Sequence, residues 1–202
     1  MNKQICIIIF LLTCRICDAQ NLVPNPGFED TITCQQWMSL GNYPSLICTP
    51  WFQANSSPDF YSNFWALFSC GAAGIYPNTG AGYKTPQSGI GMGAFGILAN
   101  EREIIGVPLE TQLISNHIYY VEFYVSPGSY CGLQTDDIGA YFSPDSMSVD
   151  TPYAYNYIAQ VENQQGNILN DTVGWTKISG FFTAAGGEKY MYITDFKNDA
   201  NT

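Results

Sequence analysis

Glycine and proline punctuate this chain so closely that almost no interval can carry an amphipathic helix. Nineteen glycines and eleven prolines are spread over 202 residues, and apolar residues at helical spacing are nearly absent between them. The intervals carry short strand-like segments instead, rich in β-branched and aromatic residues. Residues 88–98 read as a glycine-rich apolar strand and residues 102–109 as a second. In residues 117–125, His117, Tyr119, Val121, Phe123 and Val125 point one way and Ile118, Tyr120, Glu122 and Tyr124 the other, since successive strand side chains alternate between faces. Residues 137–142, 153–161, 174–182 and 189–196 complete the series. Residues 34–83 are aromatic, irregular and rich in Pro, Asn, Ser and Gly, and read as an elaborated loop region held by disulfides. Seven or more short strands separated by turns predict an all-β sandwich or barrel. No internal repeat and no interdomain linker is visible, so one domain is expected over residues 20–202.

The first residues point to export. Lys3 precedes an apolar run over residues 5–14, too short to span a bilayer and of the length of a signal-peptide core. Cys17 and Ala19 put small residues before Gln20, so residues 1–19 read as a signal peptide cleaved there. Acylation of Cys14 or Cys17 is the competing reading, disfavoured by Thr13 and Ile16 in front of them. No second long apolar run follows, so no membrane span is expected. Without the signal, five basic residues face sixteen acidic ones, a net charge of −11. Such a surface disfavours nucleic acid and anionic membrane as partners. Nothing in it specifies an oligomeric state.

Four cysteines remain after cleavage, Cys34, Cys48, Cys70 and Cys131. In an exported protein they favour two disulfides, with three connectivities open. A zinc site is not expected, because no Cys-x-x-Cys pair remains and His117 is the one histidine. That histidine sits in an alternating strand without a nucleophile motif, so a Ser-His-Asp hydrolase is not expected. Asp136 and Asp137 are adjacent, would face opposite ways in a strand, and make a poor glycosidase pair. The domain therefore reads as non-catalytic.

Aromatic residues make up 15% of the chain and charged ones only 12%, so binding would rest on rings. Pyranose C–H groups stack on Trp and Tyr faces while polar side chains read the hydroxyls. One candidate cluster is Trp37, Trp51, Phe60, Tyr61 and Trp65 in the loop region. The other is Tyr153, Tyr155 and Tyr157, which alternate along one strand face. Each has a bland reading as core or strand packing.

The segment Asn21-Leu-Val-Pro-Asn-Pro-Gly-Phe-Glu29 resembles the opening of galactose-binding-like jelly rolls, including many carbohydrate-binding modules. Further segments, in order, resemble the N-terminal domains of OmpA-family and related surface proteins of Bacteroidota. They are Pro50-Trp51, Ser57-Pro-Asp-Phe-Tyr61, Gly89-Ile-Gly-Met-Gly93, Arg102-Glu-Ile-Ile105, Tyr120-Val-Glu-Phe-Tyr-Val-Ser126, Asp136-Asp-Ile-Gly-Ala-Tyr-Phe-Ser143 and Gly186-Gly-Glu-Lys-Tyr190. The resemblance implies an antiparallel jelly-roll β-sandwich at the cell surface or outside the cell, outer-membrane associated. It implies a carbohydrate-binding or adhesive module of a larger surface protein, with a glycan or cell-surface polymer as partner. The alternative is a structural spacer before an OmpA-like peptidoglycan-binding domain. It also implies a structural calcium ion held by Glu29, with Asp30 adjacent, and the pairs Cys34–Cys70 and Cys48–Cys131. Similar proteins have one more strand beyond the stretch matching residues 197–202, so a vacancy beside an N-terminal strand around Leu22 and Phe28 is expected. Asp30-Thr-Ile32, Asp145-Ser-Met147 and Asp171-Thr-Val173 fit the O-glycosylation pattern of that phylum, and Asn55-Ser-Ser and Asn170-Asp-Thr fit the N-glycosylation rule.

Overall fold

The computed structural model describes residues 20–30, 48–55, 58–62, 78–79, 82–98, 101–132, 134–147 and 157–197. Among them are thirteen strands and no helix. The strands are β1 (Phe52–Asn55), β2 (Asp59–Ser62), β3 (Asn78–Thr79), β4 (Gly82–Tyr83), β5 (Gly91–Ala94), β6 (Ile97–Leu98), β7 (Glu101–Arg102), β8 (Ile104–Pro108), β9 (Ile118–Val125), β10 (Ile138–Ser143), β11 (Val161–Glu162), β12 (Thr176–Thr183) and β13 (Tyr190–Asp195). Every pairing is antiparallel. The main sheet has the order β1-β8-β13-β10-β11, and β9-β12, β2-β5, β3-β4 and β6-β7 form separate pairs.

The main sheet is covered on both faces, which explains its near-continuous apolar runs. In β13 five of six residues are buried, and in β8 four of five. One face meets the β9-β12 pair, with Ile105, Val107, Phe142, Met191 and Ile193 packing in one cluster with Val121, Ile178 and Phe182. The other face carries Ala54, Ile104, Tyr192 and Phe196, flanked by Phe52, Tyr141, Tyr157 and Tyr190. Gly106 is fixed by this crowding, since a Cβ there would lie 2.7 Å from the Phe52 ring and 2.8 Å from the Tyr192 ring. The described residues are thus all-β and antiparallel, consistent with a sandwich.

Most segments expected as strands are present where described, with shifted bounds, but of residues 153–161 only Val161 lies in a strand, residues 157–160 being irregular and residues 153–156 lying outside the described residues. Residues 88–98 divide into β5 and β6, and residues 102–109 are broken at Glu103 between β7 and β8. Residues 34–83 are not loop throughout, because they supply β1, β2, β3 and β4. The N-terminal strand expected around Leu22 and Phe28 is not formed. Asn25 is the reason. Its side-chain oxygen accepts the N–H groups of Glu29 (2.7 Å) and Asp30 (3.0 Å), and its amide donates to the carbonyls of Asp30 (3.1 Å) and Thr49 (2.8 Å). These bonds hold a turn in which Asn25 and Phe28 have φ of 45° and 58°. Leu22, Val23 and Phe28 still pack on the core.

A cleft of about 2010 Å³ follows β9, and residues 118–126, from both faces of the strand, line it. Phe28, Phe95, Ile105, Leu113 and Ile193 lie along its other wall. Among the described residues β9 pairs with β12 alone.

The disulfide between Cys48 and Cys131 is not made; both carry free thiols. Cys34 and Cys70 lie outside the described residues. Cys48 is buried, accepts the Asn25 amide at 3.0 Å and donates to the Asp30 carbonyl at 3.3 Å. Burial pushes its thiol up to about 12, opposed only in part by the Asn25 hydrogen bond. The thiolate is the reactive form, so alkylation of the native protein at pH 8, mapped by peptide mass, is expected to label Cys131 and spare Cys48. Labelling of Cys48 at a comparable rate before unfolding would contradict this packing.

Candidate functional site

Most of the aromatics proposed from sequence are core residues where they are described. Trp51 is buried, packs on Phe28 with ring centroids 4.6 Å apart, and donates its indole N–H to the Asn25 carbonyl at 2.9 Å. Phe60 and Tyr61 are buried in β2, with the Tyr61 hydroxyl 3.3 Å from Asp59. Tyr157 is half-buried against Tyr141, ring centroids 4.9 Å apart. Trp37, Trp65, Tyr153 and Tyr155 lie outside the described residues. His117 is exposed, its Nδ1 3.2 Å from the Ser115 carbonyl. Asp137 is buried against Lys197, whereas Asp136 accepts the Gly166 N–H. Glu29 accepts the Ile90 N–H at 2.9 Å. Among the described residues no three His, Cys, Asp or Glu side chains come together as a metal site.

Exposed rings lie elsewhere: Tyr83 and Tyr130 singly, and Tyr120, Tyr124 and Phe181 together on the outer face of β9 and β12. The register sets Tyr120 opposite Phe181, Glu122 opposite Ser179, Tyr124 opposite Lys177 and Ile118 opposite Thr183. Ile118 is 71% exposed, Phe181 72%, Tyr120 51% and Tyr124 38%. The Tyr120 and Phe181 rings sit 4.9 Å apart, tilted by 47°. Paired aromatics left open to water on one sheet face form a surface that costs solvation free energy until something covers it.

Glu122 organises the polar half of this face. Its carboxylate accepts the Tyr120 hydroxyl at 2.7 Å and the Tyr124 hydroxyl at 3.2 Å, and pairs with Lys177 at 3.3 Å. Each phenol is thereby tethered two residues along its own strand, and Lys177 is tethered across the ladder. The arrangement uses side chains at i, i+2 and i+4 on one strand face, which the pleat brings into a row. The alternation in residues 117–125 already contained the signal for this site. Alternation alone does not say which face meets water, so it does not single these residues out.

A second contact fixes where β9 ends and β12 begins. The Lys84 ammonium donates to Ser126 Oγ and to the carbonyls of Thr172 (3.2 Å), Val173 (3.1 Å) and Gly174 (2.7 Å), beneath the Trp175 ring at 5.0 Å. Desolvation lowers its pKa, partly offset by Asp171. The Trp175 indole donates to the Thr85 carbonyl at 3.1 Å. The cation thus holds the turn before β12 against the end of β9.

The titration of this face follows from its contacts. The Tyr120 hydroxyl and then Lys177 hold the Glu122 carboxyl below its ordinary range, and the hydrogen bond to Glu122 raises the Tyr124 phenol. Glu122 also raises Lys177. A depressed carboxyl contributes order above its unfolded pKa and loses it as pH falls through the lower folded value. The raised phenol and ammonium contribute below their unfolded values and lose it as pH rises. The tether is therefore expected to be constant between about pH 4.3 and pH 10 and to release outside that window. Ring resonances of Tyr120 and Tyr124 followed by NMR report this. Glu122→Gln should abolish the acid transition, and an unchanged transition in that variant would assign it to another group.

Comparison with known protein families, with curated proteins and with solved structures finds no match to this chain.

Proposed function

We propose that this chain is an exported, non-catalytic binding domain of jelly-roll type that recognises carbohydrate at a cell surface through the outer face of β9 and β12. The observation that carries the reading is the ring pair Tyr120–Phe181 held open beside a tethered Glu122–Lys177 pair. Rings take the C–H faces of a pyranose, and Lys177, Ser179 and the phenols supply hydrogen-bonding groups for its hydroxyls. The site needs no proton-transfer group, so binding without turnover is its natural chemistry. The resemblance to galactose-binding-like and OmpA-family surface domains points the same way.

One observation favours the spacer reading instead. Trp51 and Tyr61 are spent on the core, as in a domain whose aromatics serve stability alone. A glycan array on the purified protein separates the two. Binding to a defined set of glycans is expected, with Phe181→Ala weakening it about tenfold or more, equivalent to at least about 1.4 kcal/mol. A flat array with an intact melting transition would leave the spacer reading standing.

Calcium at Glu29 and Asp30 belongs to the same proposal. Calcium takes six to eight oxygens, carbonyls among them, and Glu29 is next to Asp30, whose carbonyl meets that of Thr49 at the Asn25 amide. Melting temperature is expected to rise with added calcium and fall with chelator, and Glu29→Gln to remove the response. No response in the unaltered protein defeats the idea.

A further inference from the structure

From the spacing and charge of the same face, we infer that its ligand is a single, extended, neutral glycan chain of at least three pyranose units lying along β9. The inference rests on the carbohydrate reading above and adds length, charge and physical form to it.

Length follows from the strand. Tyr120 and Tyr124 are four residues apart on one face, and at the rise of a strand this separates them by about 13 Å along β9. A disaccharide on the Tyr120–Phe181 pair cannot also cover Tyr124 and Lys177. A chain running parallel to β9 meets the ring pair first, then Glu122 and Ser179, then Tyr124 and Lys177. The half-exposed Tyr124 is thus a second anchor rather than part of the first.

Form follows from the ring pair. Tyr120 and Phe181 are tilted by 47°, so the two rings cannot lie flat together under the plane of a crystalline polymer. They close as a shallow trough on one chain, a ring to each side. Charge follows from the carboxylate. Glu122 already takes three donors, Lys177 is the one cation set among these residues, and the whole chain carries −10. A glycan of uronic acids would bring further negative charge to a face whose lone ammonium is already paired. A neutral chain meets no such repulsion and finds hydrogen-bonding partners in Ser179 and Lys177.

The test is calorimetric titration of the intact protein with neutral gluco-, manno- and xylo-oligosaccharides of two to six units. Polygalacturonate and a suspension of microcrystalline cellulose serve as the contrasting probes. The expected result is affinity rising at least tenfold between the disaccharide and the pentasaccharide of one series, with polygalacturonate and cellulose weaker than that pentasaccharide. Tyr124→Ala should remove the gain with length, whereas Phe181→Ala should weaken every member. Both residues are exposed, and melting curves confirm that the variants fold. Affinity independent of length overturns the inference and leaves the carbohydrate reading intact. Tighter binding of polygalacturonate or cellulose overturns the charge or form assignment in the same way. Absence of binding to every probe overturns both readings. Sedimentation showing a dimer that Phe181→Ala dissolves would assign the face to a second copy of the chain and also overturn both.

Discussion

The outer face of β9 and β12 exists because their inner face packs on the main-sheet core, with Val121, Ile178 and Phe182 buried and Tyr119, Phe123 and Val125 half-buried. Tyr119, Val121, Phe123 and Val125 alternate with the exposed set, and across the ladder they meet Phe182, Gly180, Ile178 and Thr176. Phe182 stacks on Phe142 of the main sheet at 4.7 Å, and Val121 and Ile178 join Met191 and Ile193 in one core. Fully burying a side chain such as Val121, Ile178 or Phe182 is worth about 1.5–3 kcal/mol. With a side-chain period of two, any register that buries this set turns Ile118, Tyr120, Glu122 and Tyr124 outward. Exposure of the rings is a consequence of core packing, not a separate choice.

Packing supplies a face, and polar contacts give it a shape. A phenol on an exposed strand would ordinarily sample several rotamers. Glu122 restrains two phenols and an ammonium at once, so these side chains are held in place. Lys84 acts at the strand ends in a comparable way, bringing one positive charge to three backbone carbonyls that would otherwise face each other in the turn before β12. Asn25 does the same for the N-terminal turn with a neutral amide. All three residues organise loops or faces around one multiply bonded side chain. That suits a protein with few charged residues and many turns.

The strand content was legible because local chemistry sets it. Residues 117–125, 137–142, 174–182 and 189–196 show apolar alternation or apolar runs between turn residues, and β9, β10, β12 and β13 lie within about two residues of those bounds. The error at residues 20–30 came from a single side chain. Asn25 offers the backbone an alternative set of hydrogen bonds, and such local competition with a ladder is not visible in apolar patterning. The pairing of Cys48 with Cys131 failed for another reason. Pairing depends on the distance between segments far apart in sequence, and Cys48 is taken up by Asn25 and Asp30.

The candidate site shows the same division. The sequence by itself determined that Tyr120, Glu122 and Tyr124 share a strand face, because the two-residue period of an extended chain is a local property. It also determined that the chain is built of short strands, since glycine and proline recur too often for helices. Only the tertiary structure decided which of the two faces meets water, and that Trp51 and Tyr61 do not. Burial is set by partners distant along the chain: Phe28 against Trp51, Phe142 against Phe182, and Phe181 delivered to Tyr120 by a register of 61 residues' separation. No local pattern encodes those meetings. They follow from which apolar surfaces must cover one another once all the strands are present.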